Sequence, residues 1–363
     1  MIDSEIQENV SLAPYTTFKV GGEARYFVRA ESEDAVVRAL AFADSKAIPV
    51  FILGGGSNVL ISDTGFNGLV LQIALKGILD STFQIPKPGP DEDQNLRTIT
   101  ARAGEDWDDF VEHCVKNDLA GVECLSGIPG FVGGTPVQNV GAYGQEVAET
   151  IVAVRCYDRK TGAFVTLSNS ECGFSYRTSI FNSIAKDRYI VLSVTYALQE
   201  GGRPKFKYKD LIEHFGEKKP SLADVRDAVL KIRRAKSMVI DAADPNSRSA
   251  GSFFKNPIVE KGKLAEIRQS FDVVPHFEIG DKVKIPAAWL IENAGFHKGY
   301  ALGNAGISSN HTLAIINRGG ASASDIIALK KEIRRTVESK FGILLEPEPV
   351  FVGFENLKEK SRI

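Results

Sequence analysis

Four cysteines, at 114, 124, 156 and 172, are too few and too scattered for a CxxC pair or a metal-ligand spacing. They read as reduced, buried thiols, and no metal site is expected. No apolar run is long enough to span a bilayer. The opening MIDSEIQENV is acidic and polar, so it does not read as a secretory signal, and a cytoplasmic protein is expected. Lys and Arg number 44 against 46 Asp and Glu, and the net charge of -2 makes no electrostatic case for nucleic acid or an anionic membrane. No internal repeat or coiled-coil heptad is present. Two nucleotide fingerprints are also missing. GGGSN at 54–58 follows a predicted strand, but with Gly54 and Gly56 as the first two glycines the third position holds Val59. No GK[ST] follows either, so it is not a Walker loop.

The densest feature present is Ser126 to Gly144, SGIPGFVGGTPVQNVGAYG, with glycine at 127, 130, 133, 134, 141 and 144 and proline at 129 and 136. Glycine and proline break both helix and central strand. Backbone without side chains lets a large ligand approach and aims bare N–H groups at an anion. A turn-rich surface loop is the plainer reading. GGGSN offers the same chemistry, with Ser57 and Asn58 adding side-chain donors. Two such cradles suit an extended ligand with a pyrophosphate in its middle.

Around them the chain reads as α+β. Helices are predicted over 32–47, capped by Ser32, and 105–118, with Trp107, Phe110, Val111, Cys114 and Val115 as apolar stripe. Strands follow at 48–53, 151–157, 164–168 and 189–198. A polar, proline-rich excursion occupies 81–95. Residues 201–210 read as a boundary or mobile loop. Later helices are predicted from Ser221 to about Ala235, over 285–296 with Pro286 in the first turn, and over 324–341, ending at Gly342. With 363 residues two or three domains are expected.

TTFKVGGEARYF (16–27), LGGGSNVLISD (53–63), the glycine-rich segment, SYRTSIF (175–181), AGSFFKNP (250–257), PAAWLIENAGF (286–296) and LEPEP (345–349) occur in this order. Together they resemble the UDP-N-acetylenolpyruvoylglucosamine reductase family of flavoenzymes over nearly the whole chain. The resemblance implies an FAD-binding domain of the vanillyl-alcohol-oxidase (PCMH) type over 1–200, then a smaller α+β substrate-binding domain over 201–363 whose loop 201–220 closes on substrate. It implies reduction of FAD by NADPH, and then of the enolpyruvyl group of UDP-GlcNAc-enolpyruvate to give UDP-N-acetylmuramate for peptidoglycan. The partner is a small molecule and a monomer is expected. The FAD cradle would comprise Gly54, Gly55, Gly56, Ser57 and Asn58 with Ser126, Gly127, Ile128, Pro129, Gly130, Gly133, Gly134, Gln138, Asn139, Gly141, Ala142 and Tyr143.

Hydride addition to the methylene carbon leaves enediolate character next to a carboxylate. The chemistry then wants a cation, a stabiliser of the new charge and a proton donor. The resemblance gives these roles to Arg177, Glu348 and Ser252. Arginine's planar fork suits a carboxylate. A serine hydroxyl, a weak acid, suffices against a strongly basic carbon. Glu348 is expected on a strand, with Pro349 after it favouring an edge. Lys236, Asn256 and His311 match positions that contact the nucleotide or sugar, and Tyr208 matches a substrate-closing tyrosine, flanked by Lys205, Lys207 and Lys209. Three other readings stay open: a same-fold FAD oxidase, a non-catalytic nucleotide-sugar binder, and a serine hydrolase. AGSFF lacks the GxSxG elbow, and no nearby histidine is expected as a base for Ser252.

Overall fold

The computed structural model describes residues 6–80 and 95–354. The excursion read at 81–95 lies almost wholly outside them, as do the first five residues of the acidic N-terminus.

Short-range signals place most helices. Helix α1, Glu33–Ser45, starts where Ser32 Oγ accepts the Ala35 amide at 3.1 Å. Helix α2, Trp107–Lys116, is capped by the Asp106 carboxylate and buries Trp107, Phe110, Val111 and Cys114. Removing each large side chain from water contributes about 1.5–3 kcal/mol. Helix α3, Lys209–Phe215, falls inside the stretch read as a loop. Its flanks are lysine-rich, and its one apolar turn, Leu211 and Phe215, is all it buries. Helix α4, Leu222–Ala235, begins with Ser221 and Asp224 capping each other. Helix α5 is Lys261–Arg268, and α6 is Ala287–Asn293. Pro286 stands at the cap of α6 rather than in its first turn. The side chain that accepts the Ala287 amide, at 2.9 Å, is that of Asn256. Helix α7, Ala323–Phe341, has a Ser322–Asp325 capping box and ends at Gly342, whose φ of 62° is the left-handed stop that glycine adopts most easily.

Ile151–Asp158 pairs antiparallel with Ala163–Ser168 on one side and Tyr189–Glu200 on the other. Leu96–Arg102 and Ile78–Asp80 extend this sheet, and Leu119–Ala120 pairs with 189–200 off its main path. A second sheet runs 7–11, 23–30, 66–73, 50–53. The four cysteines are buried free thiols. Burial pushes Cys172 up to about 12 and the others further, so none is a ready nucleophile. No helix among the described residues is long and apolar enough to cross a membrane.

The chain divides into two compact units that differ from the division 1–200 and 201–363. The first holds 1–8, 26–55 and 68–235; the second holds 9–25, 56–67 and 236–363. The first thus keeps α3 and α4, which pack with Cys124 and Tyr143 in one apolar cluster. The second is centred on α6 and α7, with Phe18, Val20 and Leu60 from the early segments in the same core. Strand 350–352 pairs in parallel with 59–61 inside it.

That core contains a lysine. Lys330 on α7 is 1% exposed, its ammonium 5.1 Å from the centre of the Phe351 ring. Burial, and then the charges of Arg334 and Lys331, lower it to about 8. A lysine lowered on folding opposes folding while it is protonated. The penalty is full below about pH 8 and fades as pH rises towards the ordinary value of 10.5. Lys330→Met should therefore raise stability by about 1–3 kcal/mol at neutral pH. Denaturant titrations of both proteins should converge as pH approaches 10.

Candidate active site

In the first unit, strand 50–53 lies parallel to 69–72 and runs straight into the first glycine loop. The Gln72 amide donates to the Gly54 carbonyl at 3.3 Å, while its Oε1 is buried with no partner among the described residues. A Cβ on Gly55 would stand 2.7 Å from the Gly130 Cα and 3.1 Å from the Phe131 nitrogen. The two glycine-rich stretches, seventy-odd residues apart in sequence, therefore pack backbone on backbone. Gly54 and Gly134 differ: a Cβ there meets no protein atom within 4 Å. Bare backbone locked from behind and open in front is what a diphosphate-bearing cofactor such as FAD requires, so these residues fit the group.

Helix α2 braces the longer stretch. Trp107 N–H donates to the Gly130 carbonyl at 3.0 Å, and the Trp107 indole donates to the Leu125 carbonyl at 3.0 Å. Asp108 accepts the Gly127 amide at 2.6 Å and holds both guanidinium nitrogens of Arg226, from α4, at 2.6 and 2.9 Å. Burial works to raise the Asp108 carboxyl, but Arg226 and the Gly127 amide together hold it below its ordinary value. Its stabilising contribution is then present above about pH 4 and lost in acid. Asp108→Asn should destabilise the protein by about 1–3 kcal/mol at pH 7. The loss measured by thermal melting should shrink towards pH 3.

Not every residue of the expected cradle turns its side chain outward. Ser126 is buried and donates to the Glu123 carbonyl at 2.7 Å. Asn139 is 1% exposed and spends its side chain on Glu146, the Ser175 carbonyl and the Ala148 amide. Both hold the loop together. Ile128 and Ala142 pack on the core, while Pro129 and Gln138 are half-buried. Tyr143, buried, meets the exposed Tyr208 ring edge-on at 5.4 Å. Arg177 donates to the carbonyls of Gly141, at 2.8 Å, and Asn139, at 3.4 Å. Asn139, Tyr143 and Arg177 all have φ near 50°, a backbone state costing roughly 1–3 kcal/mol each and concentrated at functional sites.

In the second unit the rest gathers around one buried residue. Phe253 N–H donates to the Leu313 carbonyl at 2.8 Å, and its carbonyl accepts the Glu348 amide at 2.9 Å. Its ring is fully buried between Phe18, Phe254 and Phe351. Ser252, one residue earlier, is half-buried, and its Oγ lies 3.4 Å from His311 Nε2. A histidine does therefore stand beside Ser252, contrary to the expectation; the pairing spans 59 residues and has no local signal. Glu348 lies just before strand 350–352 rather than on it. The chain changes partner there: Glu348 N–H goes to Phe253 and Val350 N–H to the Asn58 carbonyl at 3.0 Å. Pro349, which has no N–H, sits at the switch and costs no hydrogen bond. Asn58 also reaches the Glu348 carbonyl at 3.4 Å, and Thr17 bridges the carbonyls of Ser57 and Ser249. Lys236 opens the unit's last segment, half-buried.

Sequence reasoning missed the Asp108–Arg226 brace and the His311–Ser252 pair. It also missed the capping role of Asn256, which spends the amide oxygen and leaves its NH2 without a hydrogen bond among the described residues.

Comparison with known proteins places the chain in a family. Residues 24–168 match the family model of an FAD binding domain, and 244–352 that of the UDP-N-acetylenolpyruvoylglucosamine reductase C-terminal domain. The enzyme of that name from Thermobifida fusca is 46% identical over 358 residues, covering 95% of this chain and 97% of the relative. Its namesake from Streptomyces coelicolor is 43% identical over 94% of this chain and 89% of its own. The crystal structure of the Thermus caldophilus reductase superposes with a TM-score of 0.63 at 27% identity, covering 96% of this chain and 99% of that one. The chain is an FAD-dependent oxidoreductase and belongs to the UDP-N-acetylenolpyruvoylglucosamine reductase family.

Proposed function

We propose that the enzyme uses NADPH to reduce the enolpyruvyl ether of UDP-GlcNAc-enolpyruvate to the lactyl ether of UDP-N-acetylmuramate, a peptidoglycan precursor. On this reading it works in the cytoplasm, as a monomer. The observation that supports the reading is the backbone pairing that ties Glu348 to Phe253, the residue after Ser252. FAD, when bound, supplies a hydride to the methylene carbon of the substrate. The residues supply everything else. Gly54, Gly55, Gly130 and Gly134 would hold the pyrophosphate, with Ser57 and Asn58 as further donors.

Arg177 is assigned to the substrate carboxylate, a pairing its planar fork favours. Glu348 polarises the conjugated system as charge moves onto that carboxylate. Ser252 delivers its proton to the carbon bearing the developing charge. Lys236, Asn256 and His311 are assigned to the nucleotide and sugar, and Tyr208, exposed on the 201–220 segment, to closing over them. The test is stoichiometric. One NADPH should disappear per enolpyruvyl nucleotide, and the product mass should rise by one hydrogen pair. NADPH loss that tracks oxygen instead, with the nucleotide unchanged, contradicts the proposal.

A further inference from the structure

A serine that gives up a proton becomes an alkoxide, one of the strongest bases a side chain can form. Each turnover therefore needs a rapid proton return to Ser252. Solvent is a slow source once substrate covers the site. Among the described residues, the side chain within hydrogen-bond reach of Ser252 Oγ is His311, through Nε2 at 3.4 Å. The distance is long for a hydrogen bond, as such pairs often are before substrate arrives.

The surrounding chain fixes this pair from both sides. Ser252 precedes Phe253, whose N–H is tied to the Leu313 carbonyl, two residues beyond His311. The Phe253 ring is fully buried, while Ser252 beside it is half-buried. The turn carrying His311 is pinned at every step. Ser309 N–H donates to Asn246, Asn310 donates to Ser237 at 2.8 Å, Thr312 donates to Glu292 at 2.5 Å, and Ala314 N–H closes on the His311 carbonyl at 3.1 Å. This anchoring fixes the backbone that carries the half-buried imidazole, which suits a proton relay.

We propose that His311 is a relay that reprotonates Ser252, in addition to any contact with substrate; the inference rests on the reductase reading above. The balance is simple. The substrate carbon takes the Ser252 Oγ proton as the C–H bond forms. As that proton leaves, Oγ takes the Nε2 proton of the His311 imidazolium in the same step, so reduction of the substrate, and with it recolouring, depends on His311. The neutral imidazole recovers a proton from solvent before the next turnover. No electrons move in these two transfers.

The experiment uses the FAD-loaded enzyme without oxygen. NADPH first bleaches it, and UDP-GlcNAc-enolpyruvate is then added at saturation. His311→Gln should still bleach with NADPH, and its affinity for UDP-N-acetylmuramate, read by calorimetry, sets the concentration that saturates it. Its yellow colour should return about 10- to 100-fold more slowly. His311→Gly should behave alike and regain speed with added imidazole. An undiminished rate in His311→Gln, while the wild type recolours, overturns the relay alone. Weakened binding with a normal saturated rate does the same, and makes His311 a substrate contact only. A wild type that fails to recolour sinks the reductase reading and the relay with it.

Discussion

Ser252→Ala should leave an enzyme that NADPH bleaches normally and that the enolpyruvyl nucleotide fails to recolour. On the proposed assignment the two half-reactions separate, because the hydroxyl takes part in only one of them. Delivering reducing equivalents to the flavin needs no proton from Ser252. Completing reduction of the substrate does, because the carbon beside the carboxylate must take up a proton. Losing a positioned general acid costs typically 10²- to 10⁴-fold, so recolouring should slow by about that factor. The fold should survive, since Ser252 Oγ makes its one side-chain hydrogen bond among the described residues to His311, a long one. A mutant that recolours like wild type would remove Ser252 from the mechanism. One that fails to bleach would show that the change had damaged the cofactor site instead.

Two glycine substitutions should part company in an equally large way. At Gly55 a methyl group meets the Gly130 Cα at 2.7 Å, and both sides of that contact are backbone. Neither stretch can yield without pulling on the strand before it or the α2 contacts behind it. Gly55→Ala should lower stability by about 1–3 kcal/mol and yield protein largely without FAD. At Gly134 the added methyl meets no protein atom within 4 Å. Gly134→Ala should melt within about 0.5 kcal/mol of wild type yet hold FAD more weakly, since the proposed cradle gives that space to the ligand. Melting curves with and without FAD distinguish the cases. Equal FAD affinity in Gly134→Ala and wild type would place the cofactor elsewhere.

What could be read from the sequence was mostly short in range. Ser32 and Ser322 cap helices through residues three positions away, and the breaks between 126 and 144 follow from glycine and proline alone. Recurring motifs brought Arg177, Ser252 and Glu348 forward, but not their surroundings. The Ser252–His311 pair spans 59 residues and the Asp108–Arg226 brace 118, distances at which neither residue leaves a trace on its neighbours. The division into units was hidden for the same reason. Residues 9–25 and 56–67 join the second unit because Phe18, Val20 and Leu60 find their apolar partners on α6, α7 and the strands beside them. Pro349, which argued for an edge, stands where the backbone changes partner, just before strand 350–352 of a two-stranded sheet.

On the proposed function, this chain carries electrons from NADPH through FAD to an enolpyruvyl nucleotide. An anaerobic spectrophotometric titration of the wild-type enzyme tests it in one cuvette. NADPH should bleach the flavin absorbance stoichiometrically, and one equivalent of UDP-GlcNAc-enolpyruvate should restore it, with UDP-N-acetylmuramate in the filtrate. A flavin that stays bleached until air is admitted would contradict the account.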